Sequence, residues 1–175
     1  ALTVAVVTDP FDFEGEKVTD QASEAINRLL NTADTTIVIA NENILEILSE
    51  DTPISACFEV LDEIISQVVI GLTDMFTKRG ITFADYTGVR NLLSDSGYAV
   101  VGIGTGDDAG DATLAALSNP MLDAPLDRAQ GVLVNVVGGK GLSLQQIDEA
   151  LAMVNDNVSE DCNVVMGSQI NEDLP

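Results

Sequence analysis

The sequence predicts an α/β fold organised as two bodies around one long helix. Two short β-branched runs, residues 2–7 and 35–40, flank an amphipathic helical stretch. A strongly apolar helical pattern follows over residues 54–77, and helices then alternate with strands through the second half. With 175 residues the chain is long enough to bury a core.

Leu2, Val4, Val6 and Val7 form a strand apolar on both faces, ended by Asp9-Pro10, which places it in the middle of a helix-covered sheet. The run has no lead-in, so the chain is expected to start inside a domain. Thr19 is read as the cap of a helix with Ala22, Ile26, Leu29 and Leu30 facing inward, and residues 35–40 as a second buried strand. Two such strands joined by a helix make a right-handed parallel βαβ unit. Ligands of parallel sheets bind beyond the carboxyl ends of the strands, here Thr8 to Gly15 and Asn41 to Asn43.

Residues 54–77 carry Phe58, Leu61, Ile65, Val68, Val69, Leu72 and Phe76 on one face, with Ile64 and Ile70 widening it. At 1.5 Å per residue this helix is roughly 36 Å long, a central strut, and Lys78-Arg79-Gly80 supplies the cations and glycine that suit its carboxyl end. Beyond it, a helix near Tyr86–Ser94 leads to a strand at Tyr98–Ile103 and a short helix near Asp111–Leu117. Strands at Gly131–Val137 and Asn163–Gly167 enclose a helix opened by Ser143, with Gln146 three residues on as a capping box and Ile147, Ala150, Leu151 and Val154 as its buried stripe. The boundary between the bodies is expected at Arg79–Asp85.

The chain has 29 acidic residues against 7 basic ones, no histidine and no tryptophan, for a formal net charge of −22. Such a surface repels phosphate backbones and anionic lipid, which excludes nucleic-acid or membrane binding through a basic patch. Without histidine there is no Ser/His/Asp or Cys/His catalysis and no His-ligated zinc. Lys17, Lys78 and Lys140 are the only lysines, and the acids are scattered from end to end. That distribution favours adaptation to concentrated salt, where a Debye length of about 3 Å screens self-repulsion, over a specific cation-binding surface. Cys57 and Cys162 lie among apolar residues and read as buried thiols of a reducing cytoplasm. No apolar run reaches the ~18–20 residues of a membrane helix.

Two glycine-rich stretches invite nucleotide readings and fail them. In Gly102-Ile-Gly104-Thr-Gly106 the third glycine is one position early for G-x-G-x-x-G, and Asp107, Asp108 and Asp111 would set like charge beside a pyrophosphate. A tight solvated turn accounts for it. Gly138-Gly139-Lys140-Gly141 lacks the Walker spacing and reads as a strand-to-helix loop. The three aspartates also lack EF-hand spacing.

Leu2-Thr-Val-Ala-Val-Val-Thr-Asp-Pro-Phe-Asp-Phe-Glu-Gly15 resembles the TVAVVT-x-PF-x-FEG signature of the tubulin/FtsZ family. Further matches follow in order: Ile39-Ala-Asn41-Glu-Asn-Ile-Leu45, Cys57-Phe58-Glu-Val-Leu-Asp62-Glu63, Asp95-Ser-Gly-Tyr-Ala-Val-Val-Gly-Ile-Gly104, Asn119-Pro-Met-Leu122 and Gly131-Val-Leu-Val-Asn-Val-Val-Gly-Gly139. The resemblance implies the end of a Rossmann-like GTPase domain (1–53), a central core helix (54–79) and a C-terminal, GTPase-activating α+β domain (80–175). That last domain carries a small mixed sheet packed on helices and lacks its final strand. The family's phosphate loop would lie upstream of Ala1, so residues 1–175 alone are expected neither to bind GTP tightly nor to hydrolyse it.

The resemblance also implies function. The whole protein would bind GTP or GDP, with Mg2+ as a candidate companion, and assemble head to tail into protofilaments for cell division or shape, completing each GTPase site across a subunit boundary. Glu14 would approach the ribose or phosphates, Asn41 would hydrogen-bond the nucleotide, Phe58 would stack on guanine and Asp62 would accept from its N1 and N2 donors. A carboxylate on so apolar a helix also needs a partner if buried, the alternative being a rim aspartate in water. Val18 stands where the family often has arginine. In the catalytic segment Asp85 fills the first acidic position, while Phe83 replaces asparagine and Gly88 the second aspartate, so hydrolysis is expected to be slow. Asp85 also suits the cap of the following helix. The segment Gly104 to Pro120 is about one helical turn shorter than usual and lacks the family's arginine-alanine pair. Together with the charge, this suggests a divergent, haloarchaeal paralogue. The expected partners are further copies of the chain, another FtsZ-family protein and a membrane-tethering adaptor, in the cytoplasm at the division ring. The alternative is a non-hydrolysing scaffold or regulatory paralogue.

Overall fold

Val4–Asp9 (β1), Glu16–Leu30 (α1) and Thr35–Ala40 (β2) form the parallel βαβ unit in the computed structural model, which describes residues 1–78 and 86–174. The remaining elements are Ile54–Thr77 (α2), Tyr86–Leu93 (α3), Gly97–Ala99 (β3), Ala109–Leu117 (α4), Gly131–Gly138 (β4), Leu144–Asn155 (α5) and Asn163–Ile170 (β5). The backbone groups into two compact units. One comprises 1–69, 93–102 and 120–123, the other 70–92, 103–119 and 124–175, so that α2 contributes to both.

The first unit is built on the sheet β1-β2-β3, parallel throughout, with β1 and β2 in register from Val4↔Thr35 to Asp9↔Ala40. β2 occupies the middle, and Thr35 to Ile39 are all buried. β1, expected in the middle as well, is half-exposed at every residue, because among the described residues β2 is its one neighbouring strand. β3 corrects the sequence reading twice. It ends at Ala99, and it pairs with Thr35–Ile37 of the first unit where a strand of the second half was expected. The turn into it is held by Gly97, at φ 70°, whose N–H donates to Asp34 O at 3.0 Å.

α1 begins a turn earlier than the Thr19 cap reading allowed. Gly15 is the N-cap at φ 93°, a conformation that favours glycine. Its carbonyl accepts from Val18 N and Thr19 N, and Thr19 Oγ1 donates back to the same oxygen at 3.3 Å, so Thr19 lies inside the helix.

In the second unit β4 and β5 pair in parallel from Gly131↔Asn163 to Gly138↔Ile170. The antiparallel part of the expected mixed sheet is not found among the described residues. Ser143 caps α5 as anticipated: Gln146 N donates to Ser143 Oγ at 3.2 Å and Ser143 N to Gln146 Oε1 at 2.9 Å. Ile147, Ala150 and Val154 form its buried stripe. Asp108 caps α4 through its carboxylate, which accepts from Asp111 N at 2.8 Å.

Within the Gly102–Gly106 stretch, Gly104 and Gly106 are required by packing. A Cβ on Gly104 would lie 2.2 Å from both Ala112 O and Ala116 N of α4, and one on Gly106 would lie 2.5 Å from Ala112 N. The chain passes so close to the helix backbone that no side chain fits. Both cysteines are free; Cys57 is buried as expected, but Cys162 is only half-buried, and desolvation raises its thiol pKa.

Candidate functional site

Of the polar residues singled out from sequence, Glu14 and Asn41 lie just beyond the carboxyl ends of β1 and β2. Phe11 anchors this region, with no exposed surface. Its ring stacks on Phe13 at a centroid distance of 5.0 Å and meets Phe58 of α2 edge-on at 5.5 Å and 89°. Burying Phe11 at the mouth of the sheet thus ties the loop after β1 to the first turns of α2. Phe58 itself remains 41% exposed, which leaves aromatic surface available for stacking.

Glu14 closes the single 3-10 turn Asp12–Glu14. Its Oε1 accepts from Phe11 N at 3.0 Å while Glu14 N donates to Phe11 O at 3.0 Å, so backbone and side chain lock the loop reciprocally. Asp12 N donates to Glu42 Oε2 at 3.0 Å, joining this loop to the turn after β2. Glu42 was not anticipated from sequence. The available signal was an acid in the first turn of a segment beginning at a strand end.

Asn41 opens the turn after β2 and is 4% exposed, and its Oδ1 is buried with no hydrogen-bond partner among the described residues. An orphaned buried acceptor costs about 1–3 kcal/mol, so it marks a place where a ligand donor fits. Two positions on, Asn43 Nδ2 donates to Pro120 O at 3.0 Å and fixes the far end of the turn.

Asp62 follows Phe58 by four residues and so shares its face of α2, but it is exposed. The argument that a buried charge there needs a partner does not apply; this aspartate reaches water. Asp85 and Phe83 lie outside the described residues. Gly88 lies within α3 and leaves the second acidic position empty of functional groups.

The arrangement can stack an aromatic base and accept hydrogen bonds from ligand N–H or O–H groups. Glu14, Glu42, Asp12 and Asp62 make it acidic, and Val18, 38% exposed, adds no cation on the α1 side. Among the described residues no group of three or more acidic or sulfur ligands is placed to hold a metal ion. An apolar groove of about 380 Å3 lies elsewhere in the first unit, between β1, α1 and Ile65; it has no titratable side chain in its lining and does not coincide with these polar groups. No helix among the described residues is long and apolar enough to cross a membrane.

Comparison with known proteins shows the family to which the chain belongs. The chain is 37% identical over 177 residues to the cell division protein FtsZ of Methanothermobacter thermautotrophicus, a match covering 99% of this chain and 46% of the relative. The chain therefore spans about half the length of that relative. An empty FtsZ dimer from M. jannaschii superposes with a TM-score of 0.94 at 37% identity, over 99% of this chain and 51% of the other. GDP-bound monomeric CetZ1 of Haloferax volcanii shares the fold, with a TM-score of 0.74 at 16% identity over 96% of this chain and 50% of the other. Residues 97–175 match the C-terminal domain of the FtsZ family, and together these likenesses make the chain a member of that family.

Proposed function

We propose that the whole protein carrying this chain is a tubulin-like GTPase that polymerises head to tail in cell division or cell-shape control and hydrolyses GTP slowly at the subunit interface. Residues 1–53 serve as the end of its GTP-binding domain, 54–79 as its core helix and 80–175 as its activating domain. The observation that carries this reading is the buried Oδ1 of Asn41, unpartnered among the described residues, at a strand end near which Glu14 and Phe58 of α2 also lie. Asn41 accepts a donor of the nucleotide, Phe58 stacks on guanine, Asp62 accepts from its N1 and N2 groups, and Glu14 meets the ribose or phosphate end. Because Glu14 is already bonded to Phe11 N, its orientation is set before nucleotide arrives.

Asp85 is the proposed hydrolytic residue, orienting water on the nucleotide of the adjoining subunit. With Phe83 and Gly88 in place of polar groups it works with less electrostatic support. Mg2+ is a candidate companion of the bound nucleotide, where it would offset phosphate charge. Assembly partners are further copies, another FtsZ-family protein and a membrane-tethering adaptor, in the cytoplasm at the division ring. The charge of −22 supports work in concentrated salt.

The test is calorimetric titration of GTP into the whole protein in molar KCl. Asn41→Leu is expected to weaken binding about tenfold or more, because the new side chain cannot accept. Undiminished affinity in that variant would remove the observation on which the reading stands. The replacements at Phe83 and Gly88 favour one second reading, a scaffold that binds GTP without turnover; GTP affinity without phosphate release would select it.

A further inference from the structure

We propose that Glu42 is a positioning residue for the nucleotide, its carboxylate clasping the loop after β1 to the turn after β2 so that Glu14 and Asn41 meet the ligand as one preset surface; this rests on the nucleotide-binding reading above. Asp12 N donates to Glu42 Oε2 at 3.0 Å, across 30 residues of sequence. On the loop side, Glu14 Oε1 holds Phe11 N, and the Phe11 ring is buried against Phe13 and Phe58. On the turn side, Ile44 is fully buried and Asn43 Nδ2 donates to Pro120 O. The β1–β2 ladder ends at Asp9 and Ala40, so the bond from Asp12 to Glu42 joins the two segments beyond the last paired residues of the sheet.

An acid at position 42 needs a reason, because Asp12 and Glu14 already set negative charge where a polyanionic ligand is to bind. A third carboxylate opposes the phosphates, so its use is not attraction of the ligand. As a partner for a backbone N–H it is well suited, since a hydrogen bond to an ionised acceptor is stronger than one between neutral groups. Glu14 and Asn41 stand on separate segments, and two acceptors so placed cost less to order when their segments are already joined. The first turn of the segment Asn41–Glu46 also favours an acid for its own sake, through the partial positive charge at a helix start. That use needs the charge, whereas the clasp needs an acceptor oxygen. Glu42→Gln removes the first and keeps the second.

Calorimetric titration of GTP into the whole protein in molar KCl, where charge effects are screened within about 3 Å, tests this with Glu42→Ala, Glu42→Gln, Glu14→Ala and the double variant Glu14→Ala/Glu42→Ala. Glu42→Ala should weaken binding roughly three- to tenfold, the worth of one hydrogen bond, and Glu42→Gln should hold the parental affinity. In the Glu14→Ala background the same Glu42→Ala change should cost less, because an acceptor it helps to place is gone. Undiminished affinity in Glu42→Ala, equal losses in the two Glu42 variants, or losses that multiply in the double variant would overturn the proposal. Exchange of the Asp12 amide proton with solvent, followed by NMR without nucleotide, reads the clasp itself: it should quicken in Glu42→Ala and not in Glu42→Gln. Equal exchange in all three proteins would refute the clasp. A parent protein that binds no GTP would refute the nucleotide-binding reading and with it the role of Glu42, whereas the exchange measurement decides the clasp either way.

Discussion

Gly104→Ala separates packing from ligand binding in the glycine-rich stretch before α4. The added Cβ would lie 2.2 Å from Ala112 O and Ala116 N and 2.9 Å from Ala115 C, against 3.4 Å or more for an ordinary contact. All three are backbone atoms of a helix, so relief requires the chain or α4 to move by about 1.2 Å. Overpacking that side chains absorb costs about 1–3 kcal/mol; with backbone on both sides the expectation is the upper end, ~3 kcal/mol. Hydrogen exchange of the α4 amides reads this locally: a loss of ~3 kcal/mol raises the exchange of globally protected amides by more than a hundredfold. Gly141→Ala is the control, because nothing lies within 4 Å of its Cβ, and its effect should stay within about 0.5 kcal/mol. Equal protection in Gly104→Ala and the parent protein would refute the close-approach argument.

The remaining structural expectations concern polar side chains. Asn135 Nδ2 donates to Gly71 O of α2 at 3.3 Å, and its Oδ1 accepts from Gln169 Nε2 at 3.4 Å, with Gln169 only 5% exposed. Asn135→Leu should cost about 1–3 kcal/mol, and adding Gln169→Leu should recover part of it, because the stranded amide is then gone; strictly additive losses in urea melts would contradict the relay. Tyr98 has its pKa raised by burial first and then by the Asp123 and Asp9 carboxylates. The unfolded chain therefore loses this proton at a lower pH than the folded one. Stability attached to Tyr98 is intact below the ordinary tyrosine value near 10 and falls as pH rises through the higher folded value. Melting curves across that range should show a drop that is smaller in Tyr98→Phe; identical curves would contradict it.

What was legible in the sequence was what local chemistry decides. The Ser143–Gln146 capping box depends on residues three apart, and α2 on an unbroken apolar periodicity, so both stand where expected. β3 was misassigned because its partner, Thr35–Ile37, lies some sixty residues earlier, and three residues of pattern do not specify such a pairing. The burial argued for Asp62 failed for a related reason, and the alternative of a rim aspartate in water holds: a helix strongly apolar on average still turns an acid to water at one position. The candidate site was legible as a set of residue types at strand ends. Its connections were not, because the Phe11–Phe58 contact and the Asp12–Glu42 hydrogen bond arise only when the loop folds over the sheet. The Gly104 stretch was rejected as a nucleotide motif on spacing and charge, and close packing on α4 is the reason Gly104 and Gly106 are there.

The central claim is a GTPase site completed between subunits. Phosphate release per subunit, followed across protein concentration in molar KCl with saturating GTP, tests it most directly. The account predicts that the specific rate rises with concentration as filaments form and disappears in Asp85→Ala while GTP binding persists. A rate independent of concentration, or one that survives in Asp85→Ala, would contradict it.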